Sequence, residues 1–265
     1  ISNMNFLERI LYLLQRYGVS YLKGAGTTLA IALVSTAIGC LIGFVVGVVQ
    51  TIPVDKKRDS AAKRGLLRVV KMILKAYVEL FRGTPMIVQA VFIYYGLSQM
   101  FQIQLGMWSA AFLVVSINTG AYMAESVRGG IISVDPGQME GAKAIGMTHV
   151  QAMKNVILPQ AIRNIMPQIG NNLIINIKDT SVLSVISIVD LFFVHKSVAG
   201  ALYTYFESAT IVMAIYLTMT LVTSRLLLLV EKKMDGDANY ELVDTMDIGN
   251  QLRTIRENDG EGRRG

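Results

Sequence analysis

The chain has 265 residues, 52% hydrophobic and 17% charged, with 25 Lys and Arg against 19 Asp and Glu and a formal charge of +6. Average soluble domains carry roughly 25% charge, so this balance argues against an ordinary soluble domain and points to lipid. Nucleic-acid binding is not the reading of the positive excess, because Lys and Arg cluster beside apolar runs, as membrane orientation signals do.

Residues 1–19 contain FLERILYLLQRY, with Leu7, Ile10, Leu11 and Leu14 at helical spacing and charges opposite. That pattern predicts an interfacial amphipathic helix rather than a crossing one. No cleavable signal sequence is discernible there. No charge occurs in residues 24–54, 83–124 or 208–224, and a helix needs roughly 20 mostly apolar residues to cross a bilayer. The first run predicts span one, residues 24–50, in which Gly39, Gly43 and Gly47 form a bare stripe for a closely packed helix. The lone Cys40 lies inside it, so no disulfide framework exists.

Residues 55–75 carry eight Lys or Arg against two Asp, which marks the cytoplasmic side. Arg68, Lys71, Lys75, Glu79 and Arg82 share one helical face, either solvated or turned to headgroups, a vestibule or a partner. RGTP then interrupts the helix, since Pro85 has no N–H to donate. Span two, residues 70–98, goes outward, and SQMFQIQLGMWS turns the chain at the interface, where Trp108 is at home. Span three, residues 109–130, returns. Spans four and five, residues 164–190 and 205–230, complete an all-α membrane protein with its N-terminus outside and its C-terminus cytoplasmic. Continuous apolar runs argue against a barrel, whose strands alternate. The tail, 232–265, has the polar, Gly-rich composition of a mobile segment.

Between spans three and four lies the segment 135–160. Asp135, Pro136 and Gln138 predict an N-cap, a first helical residue and a capping-box partner. Gly146 ends that helix, Thr148 and Gln151 repeat the capping pair, and Pro159 must stop or kink the second helix. Both helices are too short and polar to span, and both carry an apolar side: Ala142 and Ile145, then Val150, Met153 and Ile157. On these grounds alone the pair either lies on lipid or docks another protein.

Glu140, Gly141, Ala142, Gly146, Val156, Leu158 and Pro159 resemble the signature EAA loop of the membrane subunits of ATP-binding-cassette (ABC) importers, with Gly for the second residue and Val for Ile. The resemblance extends over roughly residues 20–231, through GAGTTLAIALVSTAIG, ELFRGTPMIVQAVFIYYG, AYMAESVRGGI and IKDTSVLSVI, to the polar amino acid uptake branch of those permeases. It implies a five-span type I core, with 135–160 as coupling helices gripped by an ATPase. Glu140 and Lys143 would offer charge contacts, and Gly146 the turn. It further implies two ABC ATPase subunits carrying ATP and Mg, a second permease subunit, identical or paralogous, a separate extracellular solute-binding protein, and residence in a prokaryotic cell membrane. The chain itself has no phosphate-binding GxxxxGK[ST] loop, so no ATPase activity or cofactor of its own is expected. His149 and His195 have no metal-spaced partner.

Charged groups at membrane depth face interiors or water. Lys178 and Asp179 in span four, followed by Thr180, Ser181 and Ser184, are therefore candidates for the substrate pathway, and the KDTS string resembles the family's pathway-lining segment. Asp179 as an anchor or a cap is the competing reading. Asn118, Tyr122 and Glu125 share a face of span three and are candidates for the same route, although Glu125 and Arg128 also fit a local pair. These groups suit a zwitterionic amino acid, glutamine or glutamate first. The alternative is an ion-coupled secondary amino acid carrier or channel using Lys178 and Asp179 as a relay; a scaffold without transport is the third.

Overall fold

A computed structural model describes residues 4–54 and 60–235, so 1–3, 55–59 of the basic stretch and 236–265 of the polar tail lie outside the described residues. Residues 1–231 form one compact unit. The described part is helical: α1 (Phe6–Thr51), α2 (Ala61–Gly83), α3 (Met86–Phe101), α4 (Met107–Ile132), α5 (Pro136–Ala144), α6 (His149–Ile186), α7 (Leu191–Leu202) and α8 (Tyr205–Asp235).

The expected division between an interfacial helix and span one is absent. α1 runs unbroken from Phe6, a rod of roughly 70 Å, more than twice the roughly 30 Å hydrocarbon thickness of a bilayer. Its first turns are held by tertiary contacts that sequence periodicity does not reveal. Leu13 and Tyr21 are buried, the Tyr21 hydroxyl lies 2.8 Å from Ser208 Oγ, and Arg9 pairs with Glu207 at 3.1 Å. α1 ends just before Pro53, and Lys71 of α2 donates to the Ile52 carbonyl at 2.6 Å.

The glycine stripe does what its spacing predicted. A Cβ on Gly39, Gly43 or Gly47 would lie 2.6, 2.3 or 2.7 Å from the Cβ of Thr119, Met123 or Val127. Both series climb by four residues in the same sense, so α1 and α4 run parallel in close contact. α6 opposes α4: Gly130 meets Ile165, the Asn172 amide reaches Met123 Sδ at 3.3 Å, and Asn176 reaches Thr119 Oγ1 at 2.9 Å. α8 in turn opposes α6 and α7, with Leu227 against Gly170 and Ser208 3.0 Å from His195 Nδ1.

Because α1 and α4 are parallel, the residues between them must carry the chain back. They do so in two pieces. α2 ends at Gly83 and α3 begins at Met86, with Thr84 extended ahead of Pro85. The stretch expected as span two is thus broken where RGTP stands. Gln89 repairs the break: its Nε2 lies 2.9 Å from the carbonyls of Phe81 and Thr84. Among the described residues, three helices are long and apolar enough to cross a membrane: Phe6–Thr51, Met107–Ile132 and Tyr205–Lys233. A fourth candidate is α6 with α7, bent by 54°, while Met86–Phe101 is apolar but shorter.

Candidate functional site

The jointed segment builds as follows. Asp135 accepts from Gly137 N at 2.7 Å and Pro136 opens α5. Gln138 does not close the expected capping box; its side-chain oxygen instead faces the Gln160 amide at 3.4 Å. α5 ends in a paired C-terminal turn, Gly146 N to Lys143 O at 3.0 Å and Met147 N to Ala142 O at 3.1 Å. This pattern needs a left-handed residue after the helix, and Gly146 has φ +87°. Thr148 and Gln151 form the second capping box as their spacing predicted.

Pro159 neither stops nor ends the second rod. Residues Met153–Ile157 widen into a π turn, which accommodates the proline that a regular helix interior rejects. α6 therefore runs from the joint to Ile186 as one body, roughly 55–60 Å long. Ala142, Ala152 and Ile157 are buried beneath the joint. Ile145 and Val150, expected on the apolar side, are 76% and 73% exposed, together with Glu140, Gly141, Lys143, Gly146 and Pro159. Leu158 is partly covered and packs against the buried cluster that includes Ile157 and Ile165. The joint thus presents two bare aliphatic side chains and both charges outward.

The pathway candidates fall into two groups. Asn118, Tyr122 and Glu125 come together on α4, facing the end of α2. Glu125 forms an ion pair with Arg82 as well as with Arg128 at 3.5 Å, so the pair expected within α4 is half of a triad. The Arg82 guanidinium sits 5.4 Å from the Tyr122 ring centre. Asn118 donates to Gln89 Oε1 at 3.0 Å and to the Phe81 carbonyl at 3.2 Å. Lys178 and Ser181 belong elsewhere: they line a cavity of about 410 Å³ with Phe192, Met213, Tyr216, Leu217 and Thr220. Asp179 is exposed next to Lys178. Thr180 is buried and donates to the Ile177 carbonyl at 3.0 Å, where α6 tightens into the 3-10 turn Thr180–Ile186. Ser184 is half-buried within that turn, its carbonyl accepting from Ser187 N at 3.2 Å.

Several polar residues escaped the sequence reading. The charged face of α2 shows no specific partner for Arg82 in the sequence, yet the half-exposed side chain reaches across to Glu125 of α4. For Gln89 the available signal is an isolated amide in the apolar run MIVQAVFIYYG. Asn176 ties α6 to both α1 and α4, donating to Thr36 Oγ1 at 2.7 Å and to Thr119 Oγ1 at 2.9 Å. Buried Asp190 accepts from Phe193 N at 2.9 Å to start α7. Among the described residues no cluster of His, Cys, Asp or Glu is arranged to hold a metal ion.

The described residues thus form a helical bundle with glycine-tight, membrane-length helices and an exposed helical joint. Residues 60–236 match the family described as binding-protein-dependent transport system inner membrane component, and the chain belongs to that family. Its relatives include the nopaline transport system permease protein NocM of Agrobacterium fabrum, 38% identical over 79% of this chain and 86% of its own. The arginine transport system permease protein ArtQ of Bacillus subtilis is 34% identical over 82% and 93%, and the glutamine transport system permease protein GlnP of Escherichia coli 33% over 80% and 92%. A crystal structure of an amino acid ABC transporter with histidines superposes with a TM-score of 0.74 at 35% identity, covering 87% of this chain and 99% of that one. The inward-facing MetNI methionine ABC transporter shares the fold at TM-score 0.69 and 19% identity, over 82% and 97%.

Proposed function

We propose that this chain is the pathway-forming membrane subunit of an importer for a polar amino acid, glutamine or glutamate first, in the cell membrane of a prokaryote. The chain crosses five times, as α1, α2 with α3, α4, α6 with α7, and α8, from an outside N-terminus to a cytoplasmic C-terminus. Two ATPase subunits holding ATP and Mg grip the joint 135–160, a second permease subunit closes the pathway, and a separate extracellular solute-binding protein delivers the substrate. The family and the permease names of the relatives support the transport reading.

The observation that carries the coupling is the continuity of α6. From His149 to the left-handed Ser187 the helix has no break, so a push on Val150 is carried along one continuous helix to Lys178–Ser184, while Glu140, Lys143 and Ile145 lie on α5 across the Gly146 turn. A reconstituted complex with its ATPase and receptor is expected to accumulate amino acid only with hydrolysable ATP. Accumulation by the permease alone, driven by an ion gradient, would refute this reading in favour of a secondary carrier.

A further inference from the structure

We propose that Arg82, Glu125 and Arg128 form a zwitterion-reading site, in which the Arg82–Glu125 ion pair occupies the place that the α-carboxylate and α-ammonium of a substrate amino acid take when it is loaded. The inference rests on the importer reading above and adds to it the substrate feature that is read inside the membrane: the amino acid backbone rather than the side chain.

Depth is the first argument. Glu125 lies between Met123 and Val127, the two α4 residues packed on Gly43 and Gly47, and so roughly 10 Å from the end of α4 at Ile132. Arg82 ends α2 just before the break at Thr84 and Pro85. Ionised groups at such depth do not face hydrocarbon; they line a protein interior or a water-filled cavity. The side chains of Arg82, Glu125 and Arg128 retain 40%, 40% and 44% of their exposure, so part of each charged group is left accessible rather than sealed inside the bundle.

Charge balance is the second argument. Two guanidinium groups meet one carboxylate, leaving a surplus positive charge beside a paired one. Removing one partner of a half-covered pair leaves a charge without its counterion, whereas exchanging partners conserves charge. A zwitterion performs that exchange: its carboxylate goes to Arg82 and Arg128, its ammonium to Glu125. A guanidinium fork suits a carboxylate in geometry as well as charge.

Preorganisation is the third. The Tyr122 ring supports the Arg82 guanidinium. The helix end carrying Arg82 is fastened by Gln89 and Asn118, which both hydrogen-bond the Phe81 carbonyl. The fork is therefore set in place by neighbours that carry no charge.

The test uses the assembled permease and ATPase complex in nanodiscs, without the receptor, and measures equilibrium binding of L-glutamine against glutamine α-amide and of L-arginine against its decarboxylated form, agmatine. The wild type is expected to prefer the intact amino acid about tenfold or more, each tenfold being roughly 1.4 kcal/mol. Arg82→Met is expected to erase that preference. Arg82→Glu combined with Glu125→Arg restores an ion pair that only braces α2 against α4, so it is expected to recover complex yield but not the preference. Arg82→Met weakening acid and amide alike, a swap variant with wild-type preference, or a wild type that binds neither amino acid while the receptor-fed system still transports, would each overturn the site and leave the importer reading standing. A wild type that fails to transport amino acid even with receptor and ATP overturns both.

Discussion

Gly43→Ala places a single methyl where α1 and α4 are closest. The added Cβ would stand 2.3 Å from Met123 Cβ and 2.8 Å from Ala124 N and Met123 C. Carbon atoms reach comfortable contact at about 3.5–4.0 Å, so the helices must separate by about 1 Å. None of the three obstructing atoms is the end of a flexible side chain, so none can rotate aside. Separation at Gly43 also loosens the contacts at Gly39 and Gly47, one turn to either side. Overpacking of this kind typically costs about 1–3 kcal/mol. For a chain of this size that is a fall in midpoint of about 2–12 °C, at roughly 2–4 °C per kcal/mol. Gly26→Ala is the control: nothing lies within 4 Å of its Cβ position, and removing a helix-interior glycine is worth about 0.5–1 kcal/mol in the stabilising direction. Thermal scans of the detergent-solubilised protein, read as surviving monodisperse fraction, compare the two. A Gly43→Ala midpoint equal to wild type, or an equal fall in Gly26→Ala, would refute the close-packing argument.

Three further outcomes are expected. Gly146→Val forces a branched side chain into φ +87°, costing about 1–2 kcal/mol or more, and is expected to lower ATPase co-purification while expression and membrane insertion hold; Gly146→Asn should lose less, and equal recovery of all three proteins would sink the docking assignment. Asn176→Leu removes the amide shared by Thr36 and Thr119; with intramembrane hydrogen bonds near 0.6 and at most about 1.7 kcal/mol each, a stability loss of about 1–3 kcal/mol is expected in denaturant titration, and wild-type stability would contradict it. Asp179→Ala is expected to reduce ATP-driven uptake at unchanged thermal stability, because Asp179 is exposed beside Lys178; undiminished uptake would withdraw Asp179 from the pathway.

The sequence by itself determined the class of the molecule. Uncharged runs of membrane length, the basic loop after span one and the spacing of Gly39, Gly43 and Gly47 are consequences of one solvent and one helical period, which act on neighbours in the chain. The joint was legible for the same reason: Asp135, Pro136, Gly146, Thr148 and Gln151 shape the backbone within four residues of themselves. Tertiary structure decided what depended on distant partners. Whether residues 6–17 lie flat or extend α1 was settled by Tyr21 meeting Ser208 and Arg9 meeting Glu207. Whether Pro159 broke its helix depended on a π turn that local rules permit but do not require. The pathway candidates divided into two places because Arg82, remote in sequence, reached Glu125, while Lys178 turned towards α8. Local chemistry writes the elements and their caps, but which charged side chains meet is set only when the helices pack and each buried charge must find a partner.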